Sequence, residues 1–194
     1  LHDGKILRGS RHMAGEFSFL GTFPDGTLNH STFRNGSMSG LMLKANLAYG
    51  IDINKTEFAP LAPLLGFAQT ELQLSPANDD PEFEHGIDGI KFFQLLNDGD
   101  EKLAPLYDEF LDNICSALMS IQAILDPRVI ALGGGFIREE RVIPDLQKKI
   151  EVYDGLFGGG LLPHIELMAC KHLQNANLIG AAYNFLQLYG GVTE

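Results

Sequence analysis

The sequence contains no tryptophan, only two cysteines and few basic residues. Its 14 lysines and arginines stand against 25 aspartates and glutamates, which gives a formal net charge of −11 at pH 7. Lysine and arginine form no cluster, so we expect neither nucleic acid nor an anionic membrane to bind these residues. No apolar run approaches the roughly 20 residues needed to cross a bilayer.

The scarcity of cysteine excludes a disulfide framework. Cys115 and Cys170 are far apart in apolar surroundings, which predicts reduced, buried thiols and a cytoplasmic protein. The apolar fraction of 45% is ordinary for globular proteins, and 194 residues suffice for one large domain or two small ones.

The first residues look like the second half of a hairpin. The chain begins at Leu1 without methionine, residues 2–5 have turn chemistry, and Lys5 to Arg8 is predicted to be a strand. Because little chain precedes this turn, we expect one lobe of a longer protein. Weak alternation predicts another short strand from Phe17 to Leu20, and a polar, glycine-rich loop should cover residues 24–37.

Helices are predicted in the middle of the chain. One should begin after a cap at Ser37 or Ser39 and end near Tyr49, and a second should span Asp88 to Leu96. Apolar residues then recur at every third or fourth position from Leu103 to Leu125, which predicts a long, largely buried helix. Residues 51–84 read as irregular.

The last third alternates strands and helices. A short buried strand is predicted at 128–132, a helix from about 140 to 153, a strand at 164–170 and a closing helix at 175–188. The apolar residues expected to face inward on the closing helix are Leu178, Ile179, Ala182, Phe185 and Leu186. The order of elements indicates an α/β protein.

Three consecutive glycines, Gly133, Gly134 and Gly135, follow the first of these strands. They fit neither GxGxxG nor the Walker pattern. Glycine permits positive φ and lets a ligand approach the backbone, and ligands of open α/β sheets bind where strands end. A tight turn and a nucleotide contact are therefore both open interpretations.

Three segments in order resemble ROK proteins, the family of repressors, open reading frames and sugar kinases. They are "GKILRGSRHMAGEFSFL", "DPRVIALGGGFIREE" and "NANLIGAAYNF". The resemblance implies the actin-like, ribonuclease-H-like kinase fold, with this chain as the C-terminal lobe of a two-lobe protein and as a homodimer. The catalytic aspartate would lie upstream of Leu1.

The resemblance also implies roles for particular residues. Gly133, Gly134, Gly135 and Phe136 would contact the adenosine of ATP, which acts with Mg²⁺. Glu16 would accept hydrogen bonds from sugar hydroxyls, as a carboxylate does well.

Two positions depart from the family pattern. Phe19 stands where the family usually has a histidine, which favours stacking on an apolar sugar face or a bulkier, aglycone-bearing sugar. Asn35 replaces a second sugar-binding glutamate, and an amide can still bond a hydroxyl. The family's zinc-binding cysteines are absent from residues 24–36, so we expect no structural zinc.

We therefore expect an ATP-dependent sugar kinase, similar to glucokinases and fructokinases, whose sugar substrate the sequence does not specify. Two alternatives stay open at this point: the effector-sensing domain of a ROK transcriptional repressor, and a catalytically inactive homologue.

Overall fold

The computed structural model describes residues 6–7, 9–21, 27–68, 72, 80–156, 158–160 and 164–189. The chain forms two compact units, Leu1–Ala117 and Leu118–Glu194. Within the described ranges, no helix combines the length and apolar character that crossing a bilayer requires.

The regular elements of the described residues are six α-helices and two short strands. In chain order they are α1 (Thr32–Asn35), α2 (Met38–Ala48), α3 (Gly89–Asn97), α4 (Leu103–Leu125), β1 (Ile130–Leu132), α5 (Val142–Leu156), β2 (Leu167–Ala169) and α6 (Ala176–Tyr189). Short 3₁₀ turns connect several of them, including Phe17–Phe19, Gly135–Arg138 and Leu173–Asn175.

The capping residues of α2 and α3 confirm both predicted helix starts. Ser37 Oγ accepts a hydrogen bond from the amide of Gly40 at 3.1 Å, so Ser37 is the cap of α2. Asp88 Oδ1 accepts from the amide of Lys91 at 2.8 Å and begins α3 in the same way. Each bond satisfies an amide that the first helical turn leaves without a partner.

The long helix α4 runs over the residues that its periodicity predicts. Leu103, Phe110, Ile114 and Leu118 are buried along one stripe, as a 3.6-residue repeat requires. Leu125, at the end of the helix, is 47% exposed, so the burial predicted for the whole stripe does not reach the last turn.

The core of the first unit contains a cluster around the irregular segment that follows α2. Its buried members are Leu43, Ile53, Ala62, Leu65 and Phe67. The buried side-chain amide of Asn46 holds the segment before α3 against α2. Its Nδ2 donates to the carbonyls of Met42 at 2.7 Å and Ile87 at 2.9 Å. Its Oδ1 accepts from the amide of Ile87 at 2.8 Å. Residue 87 is thereby held against α2 immediately before α3 begins.

The second unit contains a parallel pair of strands. Ile130 of β1 pairs with Leu167 of β2, and Leu132 pairs with Ala169. Both strands are shorter than predicted, and β1 is only partly buried, whereas a fully buried strand was expected. Five apolar residues of this unit that are buried outside α4 are Ile137, Val142, Leu146, Ile165 and Leu167.

Two predictions near the beginning of the chain were wrong for the residues that the structure describes. Residues 17–19 form a 3₁₀ turn instead of a strand, and Thr32–Asn35 is a short helix inside the predicted loop. Ile6 and Leu7 have no regular structure, while Lys5, Arg8 and the hairpin turn at residues 2–5 lie outside the described residues.

The orientation predicted for the closing helix was also wrong. Ile179, Phe185 and Leu186 of α6 are 46%, 61% and 50% exposed, and Leu178 and Ala182 are exposed as well. The 3.6-residue spacing correctly identifies an apolar face, but spacing carries no information about whether another element covers that face.

Candidate functional site

Glu16 lies at the start of the 3₁₀ turn Phe17–Phe19. Its backbone amide donates to the carbonyl of Met13 at 3.2 Å, and the amide of Leu20 donates to the carbonyl of Phe17 at 3.0 Å. The Glu16 side chain is exposed, and Ser18 Oγ donates a hydrogen bond to its Oε1. This bond orients the carboxylate and leaves oxygen lone pairs available to further donors.

The segment that carries Glu16 is held against α1 by backbone hydrogen bonds. Gly21 and Ser31 form an antiparallel bridge, and the amide of Thr32 donates to the carbonyl of Leu20 at 2.9 Å. A Cβ on Gly21 would lie 2.6 Å from the carbonyl oxygen of His30, so this crossing requires glycine. The turn that follows Glu16 is therefore tied to a defined neighbour.

Asn35, the second predicted sugar contact, is buried in a polar network. Its Nδ2 donates to the carbonyl of Asn29 at 2.6 Å, and its Oδ1 accepts from Lys44 Nζ at 2.9 Å. Lys44 Nζ also bonds Glu109 Oε1 at 2.8 Å, which connects α2 with α4. The Asn35 amide thus has protein partners at both ends, and a role in sugar binding stays a prediction.

Sequence reasoning missed Lys44 and Glu109 because they are 65 residues apart and no motif links them. It also missed Arg34, which is buried with its guanidinium 3.8 Å from the centre of the Phe67 ring and with Nη1 2.7 Å from the carbonyl of Gly66. A lysine and an arginine near a predicted loop are normally read as solvated, and only the tertiary fold shows otherwise.

The glycine run lies at the carboxyl end of β1, as predicted. The amide of Cys170, directly after β2, donates to the carbonyl of Leu132 at 2.7 Å. The segment after β2 therefore lies beside the glycines, at the edge of a parallel sheet where ligands of α/β proteins bind.

The three glycines have three different environments. A Cβ on Gly133 would lie 3.5 Å from Cys170 Sγ, an ordinary packing distance. Gly134 has φ +107°, a backbone conformation that favours glycine, and a Cβ there would lie 3.5 Å from the Phe136 ring. A Cβ on Gly135 would meet no heavy atom of the described residues within 4 Å. Gly135 is therefore the position that another molecule could approach most freely.

A concave surface next to this loop, on the side of β2 and α6, encloses a pocket with a volume of about 460 Å³. It is lined by the end of β2, by Cys170 and His172, and by Ile179 and Tyr183 of α6. Volumes of this size are typical of small-molecule sites. Cys170 lines the surface and would also touch a Cβ on Gly133, so loop and concave surface are continuous.

The described residues contain no group of three or more histidine, cysteine, aspartate or glutamate side chains placed to hold a metal ion. The loop from which the family's cysteines are absent is described only from residue 27 onward. The expectation that structural zinc is absent accordingly stays a prediction.

Comparison with known proteins identifies the family. A profile of the ROK family matches residues 68–187, which is more than half of the chain. The chain belongs to the ROK family. The matched range includes the glycine loop and most of α6, so two of the three segments that suggested the resemblance lie entirely within it.

The curated relatives of this ROK protein are sugar kinases. A β-glucoside kinase of Listeria monocytogenes is 27% identical over 192 residues, covering 95% of this chain and 51% of the relative. An N-acetyl-D-glucosamine kinase of Vibrio atlanticus is 31% identical over 94 residues, covering 48% of this chain and 30% of the relative. The chain thus spans about half the length, or less, of these relatives.

A solved structure confirms the predicted fold. A ROK family glucokinase from Streptomyces griseus, in complex with glucose and AMPPNP, superposes with a TM-score of 0.65 at 22% identity. The match covers 93% of this chain and 54% of the glucokinase. The mixed α/β, actin-like kinase fold is therefore correct.

Proposed function

We propose that the protein is an ATP-dependent sugar kinase, in which the described residues supply contacts to the adenosine and to the sugar. The observation that carries the proposal is the loop after β1. It ends a parallel strand, has one glycine fixed at positive φ, and leaves a Cβ on Gly135 more than 4 Å from any heavy atom of the described residues. A turn needing only flexibility gives no reason for Gly135, because φ at that residue lies outside the left-handed region.

The relatives support the choice of substrate class. Kinases for β-glucosides and for N-acetyl-D-glucosamine phosphorylate polyhydroxylated rings, and the glucokinase was solved with glucose. Glu16 suits such a substrate because its exposed carboxylate can accept charge-assisted hydrogen bonds from neighbouring hydroxyls.

The proposed reaction transfers the γ-phosphoryl group of ATP to a sugar hydroxyl. The hydroxyl oxygen attacks phosphorus, the bond to the β-phosphate oxygen breaks, and ADP leaves while the hydroxyl proton passes to a base. Mg²⁺ bound to the phosphates neutralises developing charge in such transfers. The described residues are proposed to position the two substrates, and positioning is a large component of phosphoryl-transfer catalysis.

An assay for ADP tests the reaction directly. The protein in its full natural length should form ADP from ATP and Mg²⁺ when a β-glucoside, glucose or N-acetylglucosamine is added, and little ADP without sugar. Sugar binding by calorimetry without any ADP formation would overturn the kinase proposal and favour a sensing role.

The role of Glu16 is tested by Glu16→Gln. The amide keeps the shape of the side chain but removes its charge, and bonds to charged groups contribute about 1.5–3 kcal/mol. Sugar affinity should therefore fall by roughly 10- to 150-fold at about 1.4 kcal/mol per decade. ATP affinity should change little, because the proposed nucleotide contacts belong to the other unit.

Calorimetric titration of sugar and ATP into both proteins measures these effects. Glu57→Gln, at an exposed glutamate of the same unit, is the matched control and should bind both ligands as the wild type does. Normal sugar affinity in Glu16→Gln would remove Glu16 from the site. Equal losses for both ligands would show instead that Glu16 supports the fold.

A further inference from the structure

Phe19 is a large aromatic side chain left in water beside the proposed sugar contact. It is 64% exposed, although it belongs to a turn that packs against α1. α1 carries a second exposed ring, Phe33, at 36%. Exposed phenylalanine surface is unfavourable in water, and the two rings lie on elements that pack against each other.

Glu16 directly precedes the 3₁₀ turn Phe17–Phe19, and Phe19 is the last residue of that turn. The exposed carboxylate and the exposed ring are therefore only three residues apart on one short segment. The hydrogen bond from the amide of Leu20 to the carbonyl of Phe17, together with that from Ser18 to Glu16, fixes the turn and the carboxylate. An exposed ring and an exposed hydroxyl acceptor are thus carried by the same short turn segment.

We propose that Phe19 determines substrate specificity by stacking against the aglycone of a β-glycoside whose sugar ring is held by Glu16. This inference rests on the proposed sugar kinase function. The carboxylate suits the hydroxylated ring and the phenyl face suits a flat apolar group joined to it. A β-glucoside combines these two chemistries in one molecule, and a relative that matches 95% of this chain is a β-glucoside kinase.

The experiment compares two substrates that differ only in the aglycone, methyl β-D-glucoside and phenyl β-D-glucoside. The protein in its full natural length is used as wild type, Phe19→Ala and Phe19→Tyr, and kcat/KM is measured for each substrate. Stacked aromatic pairs are worth about 0.5–1.5 kcal/mol beyond area burial. In Phe19→Ala the ratio of kcat/KM for phenyl over methyl glucoside should therefore fall by roughly 2- to 12-fold. Phe19→Tyr should retain most of the ratio because it keeps the ring.

Leu64→Ala is the matched control, since Leu64 is 63% exposed in the same unit and no role in binding is proposed for it. Its substrate ratio should equal that of the wild type. Melting temperatures of all variants check that truncation of an exposed side chain leaves the fold intact.

The possible outcomes separate this inference from the kinase proposal. Phosphorylation of both glucosides with the same ratio in wild type and Phe19→Ala would overturn the role of Phe19 and leave the kinase intact. Equal losses for both substrates would likewise overturn it, by showing a general effect. Absence of phosphorylation of any sugar by the wild type would overturn the proposed function and this inference together.

Discussion

At the scale of single residues, the glycine run shows how one pattern can hide several physical causes. Gly134 is required by its own backbone, whose φ is +107°. A Cβ on Gly133 would lie at an ordinary packing distance, 3.5 Å, from Cys170 Sγ, so the chain after β2 packs beside this residue without requiring glycine. Gly135 has neither a positive φ nor, among the described residues, a heavy atom within 4 Å of a Cβ, so the proposed approach of a nucleotide depends most directly on it.

Gly135→Val is therefore the sharpest test of the nucleotide contact. Its side chain would enter space that no described residue occupies within 4 Å, so the fold should tolerate it while adenosine is obstructed. ATP affinity should fall by at least about tenfold, which corresponds to about 1.4 kcal/mol, and the melting temperature should stay near that of the wild type. Calorimetry with a non-hydrolysable ATP analogue measures the loss.

Gly155→Val serves as the control, since a Cβ on Gly155 in α5 would also meet no heavy atom of the described residues within 4 Å outside its own helix backbone and chain neighbours. It should bind the nucleotide normally. Gly134→Val would not separate the explanations, because positive φ strains any branched side chain whether or not a ligand is near. Wild-type ATP affinity in a folded Gly135→Val protein would restore the interpretation as a plain turn.

At the scale of elements, Asp100 fastens the start of α4 to the end of α2. Its Oδ1 accepts from the amides of Lys102 at 2.8 Å and Leu103 at 3.0 Å, and its Oδ2 accepts from Tyr49 Oη. Burial alone would raise the pKa of Asp100. The hydrogen bond from Tyr49, those from the two amides and the nearby Lys102 charge outweigh it and hold the pKa below its usual value.

This lowered pKa predicts a dependence of stability on pH. Folding favours the carboxylate, so its contribution is complete above the unfolded pKa of about 3.9 and is lost as pH falls through the lower folded pKa. Asp100→Asn should be less stable than the wild type at pH 7, by about 1 kcal/mol or less, because an asparagine still caps a helix. The difference should shrink below about pH 4 as the wild-type carboxyl protonates.

Urea unfolding between pH 3 and pH 7 measures both curves. Asp98→Asn, two residues earlier and exposed, leaves the bonds of Asp100 in place and should follow the wild-type curve. A constant difference between wild type and Asp100→Asn over this range would show that the charge of Asp100 contributes nothing.

The elements also show which structural information is local in sequence. Ser37, Asp88 and the spacing from Leu103 onward act within a few residues, and they predicted α2, α3 and α4 correctly. Phe17 to Leu20 alternates like a strand, but a strand needs a pairing partner, and in the structure the segment closes a 3₁₀ turn against α1.

In the candidate site, too, the local sequence predicted some features, whereas contacts between distant residues were missed. Glycine after a strand is a local signal and located the loop correctly. The neighbours of that loop, Cys170 and Leu173, come from the parallel pairing of β1 with β2, which sequence separation conceals. The polar network of Asn35 was missed for the same reason, because Lys44 reaches Asn35, and Glu109 reaches Lys44, only through the packing of the first unit.

At the scale of the whole molecule, the dominant physical fact is the excess of negative charge. The formal net charge is −11 at pH 7, and the sequence pI is about 4.9. Like charges on a compact body repel one another more than on an expanded chain, so this excess opposes folding. It also opposes the approach of an anionic nucleotide, which makes bound Mg²⁺ and the uncharged glycine loop favourable features of the proposed site.

Added salt should therefore stabilise the protein at neutral pH. Screening shortens the Debye length from about 30 Å at 0.01 M to about 10 Å at 0.1 M, which weakens repulsion across the molecule far more than it weakens contacts such as Lys44 with Glu109 at 2.8 Å. The melting temperature at pH 7 should rise between 0.01 M and 0.2 M sodium chloride, by a few degrees at most, given about 2–4 °C for each kcal/mol in proteins of this size. At pH 5, close to the pI, the net charge is near zero and the same salt increment should have a much smaller effect on the melting temperature.

Differential scanning calorimetry at both pH values measures these melting temperatures. A melting temperature that falls with salt at pH 7 would show that local ion pairs outweigh the net charge.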